Sequence, residues 1–383
     1  MSQCGDGRAA GGGSGSGSGI SVLVLGGTQF LGRAVVTAAL ARGHEVTLLH
    51  RGEHEPPSGA RVLRADRTRP DGLAVLADGV WDLVVDTWSG DPAVVRRSTD
   101  ALRDRAGHYT FVSSRSVYAW PAADGADESA PLVEAAPDDD PDDYAWSKRA
   151  AETAVLAVFG HRALLVRAGL LIGPHENSGR LSWWLSRIGR GGVVAAPGPA
   201  DLDLQHVDAR DLASWLLTAA DRGMSGAVDG VGPPGSCTMG ELLEACVAVT
   251  GASAELRWLE PEHLLAEGVT PWTDLPIWMP PGPEHAAVHR GAAALAAHAG
   301  LRLRPLTQTV ADTWAWMSGP DGSRLQAGGL PPEVERRLLE TAPPRPATDT
   351  PAAVLPITRS SSPSGLTLPS GVSGCSPDGR GRA

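Results

Sequence analysis

Residues 20–43, "ISVLVLGGTQFLGRAVVTAALARG", constrain the fold more than any other stretch of this chain. The run "ISVLVL" has almost no polar alternation, so it asks to be buried on both faces, as a strand in a helix-covered parallel sheet is. It stops at a glycine pair. "FLGRAVVTAALA" then carries helical spacing, with Gly43 as the stop signal. A strand that feeds a helix through glycines is the first unit of a sheet whose strands run parallel.

The same alternation continues. "HEVTLLHRG", "ARVLRADR", "WDLVVDT" and "HYTFVSS" read as strands, "DPAVVRRSTDALRDRAG" and residues 144–159 as helices, and "RALLVRAGLLIGP" as a further strand. The expected class is α/β, a doubly wound parallel sheet of the Rossmann type. The expected organisation is a disordered Gly/Ser leader over 1–19, an NAD(P)-binding domain over 20–168, a substrate lobe with interleaved elements over 169–341, and a disordered tail over 342–383 rich in Pro, Ser, Thr and Gly. In the lobe, "LTQTVADTWAWM" and "PPEVERRLLE" read as the last helices.

Charge and composition exclude several functions. The formal net charge of −11 leaves no means of neutralising a nucleic-acid backbone or an anionic membrane surface. No apolar run reaches the ~18 residues of a membrane span. The four cysteines (Cys4, Cys237, Cys246, Cys375) show neither metal spacing nor a disulfide framework, and no secretory signal is visible. His175 and His206 stand without metal partners at ligand spacing. The expectation is a cytoplasmic protein acting on a small molecule, with no metal.

In "VLVLGGTQFLGR", Gly26, Gly27 and Gly32 lie between the first strand and its helix. Glycine there permits positive φ and a close backbone approach to a pyrophosphate, which the helix N-terminus would bind through free N–H groups. Thr28, Gln29, Phe30 and Leu31 complete the turn; Gln29 stands where the usual dinucleotide spacing has a third glycine. The second strand ends in His50 and Arg51 rather than an acidic residue, so a 2′-phosphate would meet a guanidinium, and NADP is preferred over NAD. Asp66, ending the third strand, is placed to reach an adenine amino group.

The only lysine in the chain, Lys148, follows Tyr144 by four residues, so the two share a helix face. The expectation is that its ammonium lies near the phenol oxygen, lowers its pKa and also holds a ribose hydroxyl. Five aspartates precede the pair. At ~10 Å through water each would act with roughly 0.4 kcal/mol, against about 4 kcal/mol for a charge at ~4 Å in a partly buried site, so the lysine dominates. The aspartates read as a helix start, with Asp140 as cap, Pro141 at the first helical position and Asp143 three residues on. "HYTFVSSRSVY" ends a strand in hydroxyls: Ser114 is the chosen hydrogen-bond donor to the substrate oxygen, with Ser113 as its competitor.

With "GGTQFLGR", "SSRSVY" and "YAWSK" in this order, the chain resembles the extended short-chain dehydrogenase/reductase superfamily, the NAD-dependent epimerase/dehydratase group, in a branch with a GGxxxxG glycine pattern. "LIGP", "HVDARDLASWL" and "GLRLRP" add to the likeness, which covers roughly residues 20 to 320. The resemblance implies a Ser114–Tyr144–Lys148 triad, a pyrophosphate turn over Gly26–Gly32 and a smaller C-terminal α/β substrate lobe after the sheet. Arg115–Ser116 follow Ser114 where sugar dehydratases carry Asp–Glu, which excludes their elimination chemistry. A carbonyl or sugar reductase is the leading reading, a sugar epimerase the next; a non-catalytic RNA-binding scaffold is the reading from another class. In "RLSWWLSR", Arg180, Trp183, Trp184 and Arg187 share a helix; an aromatic face beside arginines could stack on a sugar or hold a phosphate, but lobe packing with snorkelling arginines is the reading taken. Asp208 and Asp211 read as a plain N-cap pair.

Overall fold

The computed structural model describes residues 19–134, 143–320 and 328–343. The expected leader and nearly all of the expected tail lie outside the described residues, as do Asp140 and Pro141.

Strand β1 (Ser21–Leu25) enters helix α1 (Phe30–Ala41), and β2 (Glu45–His50), β3 (Arg61–Arg64) and β4 (Trp81–Asp86) follow. Helix α2 (Pro92–Leu102) leads to β5 (Ala106–Ser114), helix α3 (Tyr144–Phe159) to β6 (Ala163–Ala168). Asp91 caps α2 by accepting from the Ala93 N–H, with proline at the first helical position. Helix α3 has the expected bounds, but its cap differs from expectation: the extended Asp143 is itself the cap, its carboxylate accepting from the Trp146 N–H at 2.8 Å.

The expected single strand "RALLVRAGLLIGP" is two. β6 stays in the sheet, and β7 (Leu170–Ile172) departs after Gly169, where a Cβ would come within 2.4 Å of the Val231 side chain. Beyond it lie α4 (Arg180–Gly189), β8 (Gly192–Pro197), β9 (Asp203–Leu204), β10 (His206–Asp208), α5 (Ala209–Asp221), β11 (Gly226–Gly230), β12 (Cys237–Thr238), α6 (Met239–Thr250) and β13 (Ala254–Leu259). Short helices α7 (Pro261–Ala266) and α8 (Ala294–His298) precede α9 (Leu306–Ser318) and α10 (Pro332–Thr341), the two helices expected at the end of the lobe.

Seven strands form one parallel sheet in the order β11-β6-β5-β4-β1-β2-β3. The winding reverses between β1 and β4, and a crevice for a ligand opens there beyond the carboxyl ends of the strands. The continuous apolar character of β1 is thereby accounted for: Val22 and Val24 join the core under α1 and α5, while Leu23 and Leu25 join the core on the opposite face. The last strand, β11, and helix α5 come from the second half of the chain, so the sheet is completed only after the chain has passed through the lobe.

The lobe has its own core, with the parallel pair β8–β13 and helices α4, α6, α9 and α10. Trp184 and Trp278 are fully buried in it, and each indole N–H finds a carbonyl, Pro276 O at 2.8 Å and Gly198 O at 3.1 Å. Arg187 does not snorkel: its guanidinium is buried against Glu335 at 2.6 Å. Asp208 and Asp211 exceed a cap pair. Asp208 caps α5 and also pairs Arg210 and accepts from Thr309, while Asp211 pairs Arg304 at 2.7 Å, tying α5 to the chain just before α9.

Candidate active site

A cavity of about 810 Å³ opens at the reversal between β1 and β4 and runs to the lobe. At its first end lies the glycine turn. Gly26 has φ +97, and a Cβ on Gly32 would stand 2.2 Å from the Gly26 carbonyl oxygen, so both positions need glycine for the turn to close. Phe30 opens α1 at φ +36, an uncommon backbone for a side chain of its size. Gln29 occupies the cap position without a side-chain cap bond, which leaves the first N–H groups of α1 facing the cavity. Gly26, Thr28, Gln29 and Phe30 line the cavity with Leu31 and Gly32. Gly27 does not. A Cβ there would strike Leu48 and Val36, so its work is close packing of α1 on the sheet.

The remaining predicted cofactor residues also reach this end. Arg51 is exposed and pairs Glu53 at 2.9 Å. His50 differs from expectation. It is buried, its Nδ1 accepts from the Gly52 N–H, and burial lowers its pKa, so at neutral pH it offers a phosphate no charge. The Asp66 carboxylate accepts from the Thr68 N–H and hydroxyl, bonds that hold its pKa below the usual carboxylate range.

Sequence reasoning missed Arg67. It is buried and forks onto Asp86 at 2.6 and 2.9 Å, while the Tyr109 hydroxyl donates to the same carboxylate at 2.7 Å. Burial works to raise the Asp86 pKa; the Arg67 guanidinium overrides it and holds the group ionised. That guanidinium also lies 4.7 Å above the Trp88 ring, fixing the loop after β4 at the reversal point. A polar residue ending the apolar run "DLVVD" was the available signal for Asp86.

Ser114, Tyr144 and Lys148 come together on one wall of the cavity. Ser114 ends β5, its Oγ accepting from the Ser116 N–H at 3.1 Å and its hydroxyl donating to the Ser116 Oγ at 3.1 Å, and it lies close enough to the Tyr144 phenol to pull that group's pKa down. Ser113, the competing choice, also lines the cavity, and its buried Oγ has no hydrogen-bond partner among the described residues. Tyr144 as a residue is 47% exposed, yet its hydroxyl sits deep enough that desolvation raises its pKa, against the pull of Ser114 and of the Arg180 charge.

Lys148 corrects the expected tuning. It shares the helix face with Tyr144, but its Nζ lies 5.9 Å from the phenol ring centroid and donates to the Trp88 and Val112 carbonyls. Only 4% of the residue is exposed, and burial pushes its pKa down to about 8. The two carbonyls that capture the ammonium lie in the loop just after β4 and near the end of β5. The groups that lower the phenol pKa are therefore Ser114 and Arg180 rather than Lys148.

A glycine turn under an uncapped helix, a parallel sheet reversing beside it and a hydroxyl-bearing strand facing a tyrosine define a dinucleotide-dependent enzyme class. Residues 22–231 match the NAD dependent epimerase/dehydratase family, and the chain belongs to it. The family's enzymes are NAD(P)-dependent oxidoreductases and epimerases of the short-chain dehydrogenase/reductase type. The chain is 33% identical over 215 residues to the 2′-dehydrokanamycin reductase of Streptomyces kanamyceticus, covering 52% of this chain and 58% of that one. It is 28% identical over 267 residues to the dTDP-6-deoxy-L-talose 4-dehydrogenase (NAD(P)(+)) of Kitasatospora kifunensis, covering 61% and 80% respectively. The fold resembles the Thermus thermophilus UDP-glucose 4-epimerase crystallised with NAD, at a TM-score of 0.55 and 20% identity over 79% of this chain and all of the other.

Proposed function

We propose that this protein is an NAD(P)-dependent reductase of a small carbonyl or sugar-type substrate, acting through Ser114, Tyr144 and Lys148. The observation that carries the reading is that Ser114 and Tyr144 line the same cavity close enough for the serine to act on the phenol, two hydroxyls where one substrate oxygen can meet both. A nicotinamide cofactor fits the residues present: the turn has no room for a side chain at Gly32, and the start of α1 is free of a side-chain cap. When bound, the cofactor supplies the hydride.

The chain's own residues do the rest. Tyr144 donates its phenolic proton to the substrate oxygen, and Ser114 donates a hydrogen bond to the same atom as it gains charge. The raised pKa of Tyr144 keeps the proton in place at neutral pH, as reduction requires. Lys148, with two of its three donors on carbonyls, keeps one for a ribose hydroxyl and stiffens the floor beneath the tyrosine.

NADP is the favoured form. Arg51 is the charged group at the end of β2, and its partner Glu53 is as exposed as itself, so the pair is exchanged for a 2′-phosphate at a cost of less than about 1 kcal/mol. We place the protein in the cytoplasm, where its two buried free thiols, Cys237 and Cys246, stay reduced. A fluorescence titration with NADPH, followed by turnover on a panel of carbonyl and sugar-nucleotide substrates, tests the proposal. Tyr144→Phe should lose at least about a hundredfold in kcat with NADPH binding unchanged. Unchanged turnover in that variant overturns the assignment; cofactor retained through turnover with no net oxidation favours an epimerase.

A further inference from the structure

Most arginines lining the cavity are already engaged. Arg51 pairs Glu53, Arg67 pairs Asp86, and Arg115 donates to Gln205 at 3.0 Å. Arg180 is different. It is the first residue of α4 and faces the cavity at the lobe end, and among the described residues its guanidinium makes no hydrogen bond or ion pair. The start of α4 itself offers nothing to a ligand, because the buried Glu176 carboxylate already accepts from the N–H groups of Arg180, Leu181 and Ser182. The free donor is the side chain.

That side chain is held in place. Its guanidinium carbon lies 5.1 Å from the centroid of the Trp272 ring, a stacking distance for a cation on an indole. Trp272 in turn adopts φ +66, a left-handed backbone that costs a bulky residue of order 1–3 kcal/mol and persists only where the surroundings enforce it. The surroundings here are the Trp272 N–H donating to the Trp278 carbonyl at 3.0 Å, with Trp278 locked in the lobe core. A strained residue is thus spent on laying one guanidinium flat at the cavity wall, close enough to Tyr144 for its charge to act on the phenol. Other groups lining this end include Asn177, Ser178, Trp120, Met279, Val288 and a neutral, buried His289. The buried Glu176 carboxylate feels the Arg180 charge but is bonded to the α4 N–H groups, and the cavity's lining carboxylates, Glu53 and Asp66, both belong to the opposite end.

Building on the reductase reading, we infer that Arg180 on its Trp272 platform is the specificity-determining residue for an anionic substrate. It pairs a carboxylate or a phosphate of the molecule whose carbonyl faces Ser114 and Tyr144. Arginine presents two parallel N–H groups to such an anion, and among the described residues the half-buried indole beside it makes no hydrogen bond that would occupy them.

The test uses the full chain with saturating NADPH and three simple anions as probes, inorganic phosphate, pyrophosphate and oxalate, followed by calorimetry. At least one should bind, with an affinity at least tenfold weaker in Arg180→Met, largely restored in Arg180→Lys, and reduced severalfold in Trp272→Ala but little in Trp272→Phe. Preference for phosphate or pyrophosphate assigns the anion to a phosphorylated or nucleotide-linked substrate; preference for oxalate assigns it to a carboxylate. Equal anion binding by wild type and Arg180→Met overturns the inference. So does an NADPH affinity that falls in Arg180→Met as far as the anion's, because Arg180 then serves the cofactor. If NADPH fails to bind at all, the reductase reading falls by itself, while anion binding without cofactor still reads out Arg180.

Discussion

The two ends of the cavity reach rigidity by opposite means. At the cofactor end the tight backbone is assigned mainly to glycine, with Phe30 at φ +36 the exception: Gly26 takes φ +97 at no steric cost, and Gly32 makes way for a carbonyl oxygen. At the lobe end the positive-φ positions include His175, Trp272 and Ile277, side chains that resist that conformation and are forced into it by their packing. The first end suits a ligand that many proteins share, and its rules are local. The rules of the second are tertiary.

The largest predicted effect falls on the lobe. Trp278→Ala empties a fully buried site and removes the residue that anchors Trp272, so it should cost about 4 kcal/mol in chemical denaturation. A cost below about 1 kcal/mol would show that the lobe does not enforce the strain. At the boundary between the two ends, burial of Lys148 should appear as a pH effect. Its folded pKa of about 8 lies below the unfolded 10.5, so the unfolded state binds the extra proton between those values. Stability is therefore penalised below pH 8 and recovers as pH rises toward 10.5, by roughly 3 kcal/mol. The difference between wild type and Lys148→Met across that window isolates it; parallel curves would refute the burial.

At the cofactor end, Gly32→Ala should weaken NADPH binding about a hundredfold, roughly 2.7 kcal/mol, because the added methyl drives the turn apart. Binding within threefold of wild type would mean that the turn yields, and the contrast with the lobe would vanish. The smallest effect is Arg51→Ala, expected to reduce NADPH affinity about tenfold and leave NADH unchanged; equal loss of both cofactors would remove the preference for NADP.

This contrast also explains what could be read from the sequence. The parallel sheet was legible because β1, β2 and β4 announce themselves as apolar runs bounded by turn residues, and the glycine turn and the Tyr144–Lys148 spacing are likewise local. Lys148 shows the limit of such reading. Spacing placed it on the right helix face, but the carbonyls of Trp88 and Val112, 60 and 36 residues away, decide where its ammonium goes. Arg67 with Asp86, and Arg180 with Trp272, are meetings between distant segments that leave no periodic trace. The backbone of Trp272 has no sequence signature at all, since nothing in "TPWTDLP" marks the tryptophan for a left-handed φ.

The late return of β11 to the edge beside β6, with α5 ahead of it against α1, bears on how this protein can be handled. A fragment ending at residue 168 would present β6 as a raw sheet margin and strip the cover from Val35, Val36 and Ala39. The first half thus depends on a strand and a helix supplied from beyond residue 200 to close its sheet edge and cover its core.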